Sequence, residues 1–116
     1  MASTSMQEPT RLLLTALADE PRHGYALIKE VELISAGRVR LRTGTLYAAL
    51  ARLQQQGWVQ VTGEEVVDGR HRRYYTLTGA GSEALAEETA RLRDTVLEAE
   101  RRLRLRARPQ AGEATA

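Results

Sequence analysis

The segment from residue 43 to residue 56 constrains the fold of this chain more than any other part of the sequence. Leu46, Leu50 and Leu53 recur at spacings of four and three, which predicts a helix with one apolar face. The opposite face carries short, hydroxylated, amide or cationic side chains, and the segment contains no acidic residue. We therefore expect a helix that packs on a core with one face and presents a surface free of negative charge with the other.

This helix has predicted ends, and a basic hairpin follows it. Thr43 is a candidate capping residue at its start, and Gly57 lies just past its end. A short strand at Val59–Thr62 precedes the hairpin turn Asp68-Gly69, and the return strand Arg70–Leu77 is rich in arginine. An acid-free helix beside a basic hairpin is typical of a winged helix-turn-helix that binds DNA.

The positive charge is concentrated around these two elements. The formal net charge of all 116 residues is only +2, but residues 37–77 contain seven arginines and three acidic residues. A local cationic surface attracts an anionic partner even when the whole chain is nearly neutral. The distribution favours nucleic acid as that partner.

Three further helices complete the predicted fold. The first starts at Glu8 with a proline in its first turn, runs through the apolar segment Leu12–Ala18 and is broken at Asp19–Arg22. The second covers His23–Ile34, and the last runs from Gly79 to about Arg106 with Thr78 as its cap. The fold class is therefore mainly α with a small β-hairpin, namely a winged helix-turn-helix plus a long C-terminal dimerisation helix. The predicted divisions are a disordered leader at 1–8, the DNA-binding domain at 9–78, the dimerisation helix at 79–106 and a disordered tail at 107–116.

The last helix carries an apolar stripe that the rest of so small a domain cannot cover. Leu85, Leu92, Val96 and Leu103 recur at near-heptad spacing. The simplest alternative is a helix folded back on its own core, but flanking charges of both signs favour a partner helix. The predicted dimerisation residues are Leu13, Leu17, Leu85, Leu92, Val96 and Leu103.

The motifs together resemble those of the PadR family of bacterial transcription regulators. The matching segments are Leu14-Thr-Ala-Leu17, Pro21-Arg-His-Gly-Tyr25, Gly44-Thr-Leu-Tyr47, Asp68-Gly69, Arg72-Arg-Tyr-Tyr75 and Leu77-Thr78. The resemblance implies a dimeric winged-helix protein of the compact subfamily with one helix after the wing, and it implies repression as the usual activity. Two departures are Thr43, where the family often has proline, and the lack of any aromatic residue after Tyr75, since some compact relatives bind flat aromatic drugs with a tryptophan on the last helix.

The predicted DNA contacts come from three places in the chain. Hydroxyl and aromatic groups at the start of the third helix suit base edges, whereas the arginines of the hairpin suit phosphates or a narrow minor groove. The predicted DNA-binding residues are His23, Tyr25, Arg42, Thr43, Gly44, Thr45, Tyr47, Arg52, Arg70, His71, Arg72 and Arg73.

No catalytic site is indicated. The chain has no cysteine, and its two histidines, His23 and His71, have the spacing of neither a metal site nor a catalytic triad. We expect no enzyme activity and no cofactor. The lack of cysteine fits a reducing compartment, and no apolar run is long enough to cross a bilayer, so we expect a cytoplasmic protein without a membrane partner.

Two functional interpretations follow from the sequence. The first is a homodimeric, sequence-specific regulator that binds an inverted-repeat operator in double-stranded DNA and acts as a repressor released by an apolar small-molecule effector. The alternative is a winged-helix module whose arginines bind an acidic protein partner. Binding to random duplex DNA that weakens steeply with salt would distinguish them.

Overall fold

Four helices and a three-stranded antiparallel sheet make up residues 6–108, the part of the chain that the computed structural model describes. In chain order the elements are α1 (Glu8–Ala16), β1 (Arg22–His23), α2 (Gly24–Ile34), α3 (Thr43–Gln55), β2 (Val59–Val67), β3 (Arg70–Leu77) and α4 (Gly79–Ala107). The predicted fold class, a winged helix-turn-helix followed by a long C-terminal helix, is confirmed. The predicted leader and tail lie largely outside the described residues, although Glu8 already belongs to α1 and Ala107 still belongs to α4.

The core lies between the first three helices and one face of the sheet. Helix α1 is amphipathic, with Arg11 and Thr15 on its outer side and its three consecutive leucines buried in the core. The apolar stripe predicted for α3 is buried in full. The buried core residues are Leu12, Leu13, Leu14, Ala16, Leu17, Leu27, Val31, Leu46, Ala49, Leu50, Leu53, Val59 and Tyr75.

Two of the predicted dimerisation residues belong to this core. Leu13 and Leu17 are 0% and 2% exposed within the chain itself. Their side chains are taken up by the protomer's own packing, so the structure places them in the core rather than on an exposed face. The sequence shows only that these side chains are apolar, and whether its own chain or a second copy covers an apolar side chain depends on how the elements pack.

The sheet contains a strand that the sequence did not predict. Strand β1 is two residues long and pairs antiparallel with β3, with Arg22 opposite Tyr75 and His23 opposite Tyr74, so that the strand order is β1-β3-β2. The prediction that α2 begins at His23 is therefore wrong by one residue, since α2 starts at Gly24. Two residues are too few to show an alternating pattern, and only the neighbouring strand defines β1.

The hairpin forms around the predicted turn. Asp68 and Gly69 have φ values of 52° and 76°, the left-handed conformation that a two-residue hairpin turn of type I′ requires at both positions. Strand β2 extends to Val67, well past the predicted end at Thr62, and its pairing with β3 shifts between Val61 and Gly63. This β-bulge interrupts the alternation of apolar and polar residues and hides the second half of β2 from a sequence pattern.

The two ends of α3 differ from one another in how they are capped. Thr43 is the first helical residue rather than the cap, and the N-cap position is held by Arg42 with no side-chain hydrogen bond, so the predicted cap is wrong. At the other end, Gly57 has a φ of 80° and the N–H of Trp58 donates to the carbonyl of Leu53 at 3.0 Å. This is the glycine-terminated helix end that the sequence predicts, with Trp58 packed against the core.

The chain divides into two compact units, and the boundary between them falls within α4. The first unit ends at Ala86 and the second starts at Glu87. At the start of α4, the N–H of Gly81 donates to the hydroxyl of Thr78 at 3.0 Å, which confirms the predicted cap. In the second unit, Glu98 pairs with both Arg101 and Arg102 within one turn of helix, and these hydrogen bonds lower the pKa of Glu98. No helix within residues 6–108 is long and apolar enough to span a membrane.

Candidate nucleic-acid interface

A single open cleft brings together the starts of α2 and α3 and the basic half of β3. Its lining consists of His23, Gly24, Tyr25, Tyr47, Arg70, His71, Arg72 and Arg73. Seven of the twelve predicted DNA-binding residues therefore line one surface, although they come from three separate segments of the chain. Gly24 is the lining residue that was not predicted as part of the site.

The exposed face of α3 continues from this cleft. Thr43 and Thr45 are exposed in the first turn, and Tyr47 is 46% exposed. Arg42 lies at the N-cap, and Arg52 lies in the last turn, about 15 Å further along the axis at 1.5 Å per residue. Gly44, also exposed, leaves open space around the first turn. The helix thus presents a polar and cationic surface from end to end.

Four arginines of this surface have no acidic partner within residues 6–108. They are Arg42, Arg52, Arg70 and Arg73. By contrast, the other two arginines between α2 and α3 are paired, Arg38 with Glu8 at 2.7 Å and Arg40 with Glu32 at 3.7 Å. An unpaired guanidinium does not have to give up an ion pair before it binds a phosphate, so the pairing pattern distinguishes arginines that the sequence alone treats as equal.

Acidic side chains on β2 offset part of the charge of the hairpin. The strand register places Glu64 opposite Arg73 and Glu65 opposite Arg72. The hydroxyl of Tyr74 donates to Glu65 at 2.6 Å, and this hydrogen bond raises the pKa of Tyr74. These carboxylates were not expected to take part in the site, although counting back from the turn would have placed them across from the arginines. The charge that each arginine can offer to an anionic ligand therefore depends on its position relative to these carboxylates, and the net charge of the hairpin does not describe it.

His23 joins the sheet to α2 at the edge of the cleft. Its Nδ1 accepts a hydrogen bond from the N–H of Ala26 at 3.3 Å and so caps α2. Its ring meets Tyr74 edge to face, with 5.4 Å between the ring centroids. Burial lowers the pKa of His23, and the positive charge of Arg72 adds to this effect. The neutral ring fits its capping role because a protonated Nδ1 cannot accept a hydrogen bond.

The aromatic groups of the cleft are only partly covered. Tyr25 is 63% exposed, and the ammonium of Lys29 lies 5.1 Å from its ring centroid. An exposed aromatic ring with a cation on it presents both an apolar and a positive group to a ligand. Within residues 6–108 no group of three or more histidine, aspartate or glutamate side chains is placed to hold a metal ion.

Three helices, of which the third has one buried and one exposed face, and a β-hairpin that follows them define a winged helix-turn-helix protein. Residues 13–87 match the Transcriptional regulator PadR-like family, and the chain belongs to that family. One relative is Transcriptional regulator Rv3488 of Mycobacterium tuberculosis, which is 40% identical over 86 residues that cover 74% of this chain and 77% of the relative. Membership of the family identifies the protein as a transcriptional regulator.

A second relative is much longer than this chain. The Streptomyces fradiae protein described as an uncharacterized 37.1 kDa protein in transposon TN4556 is 44% identical over 90 residues, which cover 75% of this chain. The chain spans only 24% of that relative's length.

Among solved structures, Bacillus subtilis PadR in complex with operator DNA has the same fold. The TM-score is 0.62 at 17% identity, and the match covers 70% of this chain and 47% of that one. At this level of identity the similarity establishes the fold alone, and it agrees with the winged helix-turn-helix described above.

Proposed function

We propose that this regulator binds double-stranded DNA with the surface formed by α3, the start of α2 and the hairpin. The observation that carries the proposal is the cleft in which Tyr25 and Tyr47 meet the arginines of β3. Unpaired arginines continue from that cleft along the exposed face of α3. The Bacillus subtilis PadR solved with operator DNA supports the proposal because it has the same fold.

The surface divides into groups suited to bases and groups suited to phosphates. We assign Thr43, Thr45 and Tyr47 to base edges, because they lie on the first turns of α3, the part of a recognition helix that enters the major groove. We assign Arg70 and Arg73 to the DNA backbone, because both are exposed and unpaired. Arg72 is half-buried beside Tyr74, so we expect it to contribute to the shape of the hairpin as well as to its charge.

We also propose that the protein acts as a homodimer on an inverted-repeat operator. Val96 and Leu103 are exposed on α4, and Leu92 is only partly covered, so the predicted stripe is available to a second copy. Two recognition helices on one side of a duplex would lie about 34–36 Å apart and contact successive major grooves. Such an arrangement reads two copies of a half-site in opposite orientation.

Repression, and its relief by an apolar effector, belong to the same proposal. A regulator on its operator can block transcription by occupying a promoter, and this function places the protein in the cytoplasm with the DNA. An effector bound between two protomers would change the distance between the recognition helices. The exposed part of the apolar stripe of α4 motivates this proposal, since the apolar residues of α1 are buried in the protomer's own core.

The test is a set of DNA affinities measured across a salt series. The ligands are an operator duplex selected from genomic DNA and a random duplex of equal length, and the variants are Tyr47→Ala, Arg70→Ala and Arg73→Ala. We expect Tyr47→Ala to reduce the preference for the operator by roughly 5- to 10-fold with little change on random DNA. Each arginine variant should weaken both affinities and flatten the log–log salt slope by about one unit.

Arg38→Ala is the matched control, because Arg38 is an arginine of the connector before α3 that is already paired with Glu8 and lies outside the cleft. It should leave the slope nearly unchanged. Equal effects of Arg38→Ala and Arg70→Ala would contradict the assignment of the cleft. Failure to bind either duplex, together with salt-sensitive binding to an acidic protein, would support the alternative function.

A further inference from the structure

We propose that Gly24 is a positioning residue for DNA recognition, because its lack of a side chain lets the ring of Tyr47 rest on the start of α2. The inference rests on the proposed function and adds to it a residue that has no chemistry of its own. It concerns how the recognition tyrosine is held before DNA arrives.

The contact is between the backbone of α2 and the far end of the Tyr47 side chain. A Cβ placed on Gly24 would lie 2.8 Å from Cζ of Tyr47 and nearer still to the hydroxyl oxygen. Real Cβ atoms do not come this close to other heavy atoms. The ring therefore occupies the volume that any side chain at residue 24 would need.

Space is the only reason that the structure gives for glycine at this position. Gly24 does not have the positive φ found at Gly37, Gly57 and Gly69, so an L-residue fits its backbone. It is the first residue of α2, where alanine forms helix more readily than glycine. The helix itself would accept a side chain, and the neighbouring ring would not.

The ring is the part that would move. Tyr47 is 46% exposed, so its side chain can swing into solvent without leaving a hole in the core. The other near atom, Cδ2 of Leu46, would lie 3.3 Å from the new Cβ, a distance that a small shift relieves. Alanine at residue 24 should therefore displace the Tyr47 ring first and disturb the core only slightly.

Holding the ring in place matters for binding DNA. A side chain that is already fixed loses less conformational freedom on binding than one that is free to rotate. Its direction also decides which base edge or methyl group it meets in the groove. A displaced Tyr47 would keep its chemistry but lose both advantages, so the cost should fall on operator preference rather than on binding to random DNA.

The experiment is a double-mutant cycle of Gly24→Ala and Tyr47→Ala in the full chain. Operator and random-duplex affinities are measured for the wild type, both single variants and the double variant, together with urea unfolding of each. We expect Gly24→Ala to lower operator preference roughly 3- to 10-fold while random-duplex affinity stays within about twofold. In the Tyr47→Ala background the same substitution should have no further effect.

Gly79→Ala is the matched control, since Gly79 also begins a helix and a Cβ added to it would have no neighbouring atom within 4 Å. It should leave both affinities unchanged. The proposal is overturned if Gly24→Ala keeps full operator preference, or if it lowers preference equally in both backgrounds, because the effect would then come from the backbone or Leu46. If Gly24→Ala does not fold but the double variant with Tyr47→Ala does, the result supports the contact between residue 24 and the ring. If neither variant folds, the proposal is overturned.

The ring contact can be read without DNA. With ¹³C-labelled tyrosine, the Tyr47 ring resonances should shift in Gly24→Ala while those of Tyr75, which is buried on β3, should not. If the wild type binds no duplex in a salt-dependent way, the proposed function fails, whatever the spectra show. If it binds DNA but the Tyr47 resonances do not move, the positioning role of Gly24 fails alone.

Discussion

Substitution of Gly81 by alanine should destabilise the fold because the start of α4 lies directly on the backbone that follows α3. A Cβ at Gly81 would lie 2.9 Å from the carbonyl carbon of Trp58 and 3.1 Å from its Cα, and closer to the carbonyl oxygen. The same oxygen accepts the N–H of Thr78 at 3.0 Å, and the Thr78 hydroxyl donates to the carbonyl of Gly57 at 2.5 Å. The new methyl group meets backbone that is held by hydrogen bonds, so no flexible side chain can give way.

The expected cost follows from these contacts. Forcing a methyl group into a filled site costs about 1–3 kcal/mol, and weakening the Thr78–Trp58 hydrogen bond adds roughly 0.5–1.5 kcal/mol. Alanine regains up to about 1 kcal/mol through its higher helix propensity. The free energy of unfolding should therefore fall by about 1–3 kcal/mol, which corresponds to a melting temperature lower by roughly 4–12 °C for a chain of this size.

Calorimetry and urea unfolding measure this change, and Gly79→Ala supplies the comparison. That substitution makes the same chemical change two residues earlier in the same helix, where nothing lies within 4 Å of the added carbon. It should leave the free energy of unfolding within about 0.5 kcal/mol of the wild type, or raise it slightly. Equal stability of the Gly81→Ala and Gly79→Ala variants would show that the contact with Trp58 does not constrain the helix.

Two further predictions concern pH and assembly. The pKa of His23 is lowered below its ordinary value of 6.5 in the folded chain, so just below pH 6.5 the unfolded chain binds more protons than the folded chain. The contribution of His23 to folding stability should therefore be full above about pH 6.5 and should decline as the pH falls towards the lowered pKa. Urea unfolding at a series of pH values measures this decline, which should be smaller in His23→Asn. Asparagine keeps an acceptor for the N–H of Ala26 but does not titrate. An unchanged decline in this variant would exclude His23 as its source. Replacing Leu92 and Val96 with glutamate should convert a dimer into monomers or unfolded protein, and an unchanged native dimer in sedimentation would rule out this stripe as the interface.

Part of the fold could be predicted because it depends on residues close together in the chain. The stripe of Leu46, Leu50 and Leu53 repeats within two turns of helix, and the turn at Asp68-Gly69 depends on the conformations of two adjacent residues. The hydroxyl cap at Thr78 likewise acts three residues further on. Each of these signals is local, so the sequence carries it in full.

The sequence predicted which residues belong to the candidate site, but their arrangement in space depends on tertiary contacts. The sequence identified the arginines of β3 as candidates. It could not show that Arg38 and Arg40 form ion pairs with acidic residues while Arg70 and Arg73 do not. An ion pair between side chains as far apart in the chain as Glu8 and Arg38 depends on how the elements that carry them pack together. Periodicity and charge counts hold no information about that packing.

Local periodicity and turn chemistry were enough to predict the class of fold, helix α3, the hairpin and the polarity of their surfaces. Tertiary packing was needed to show that β1 exists, that Leu13 and Leu17 lie in the protomer's core and that Gly24 lies beneath Tyr47. These features depend on the distance and direction at which separate elements pack. Packing of that kind is a property of the whole core, in which the space left for one side chain is set by residues far away in the chain.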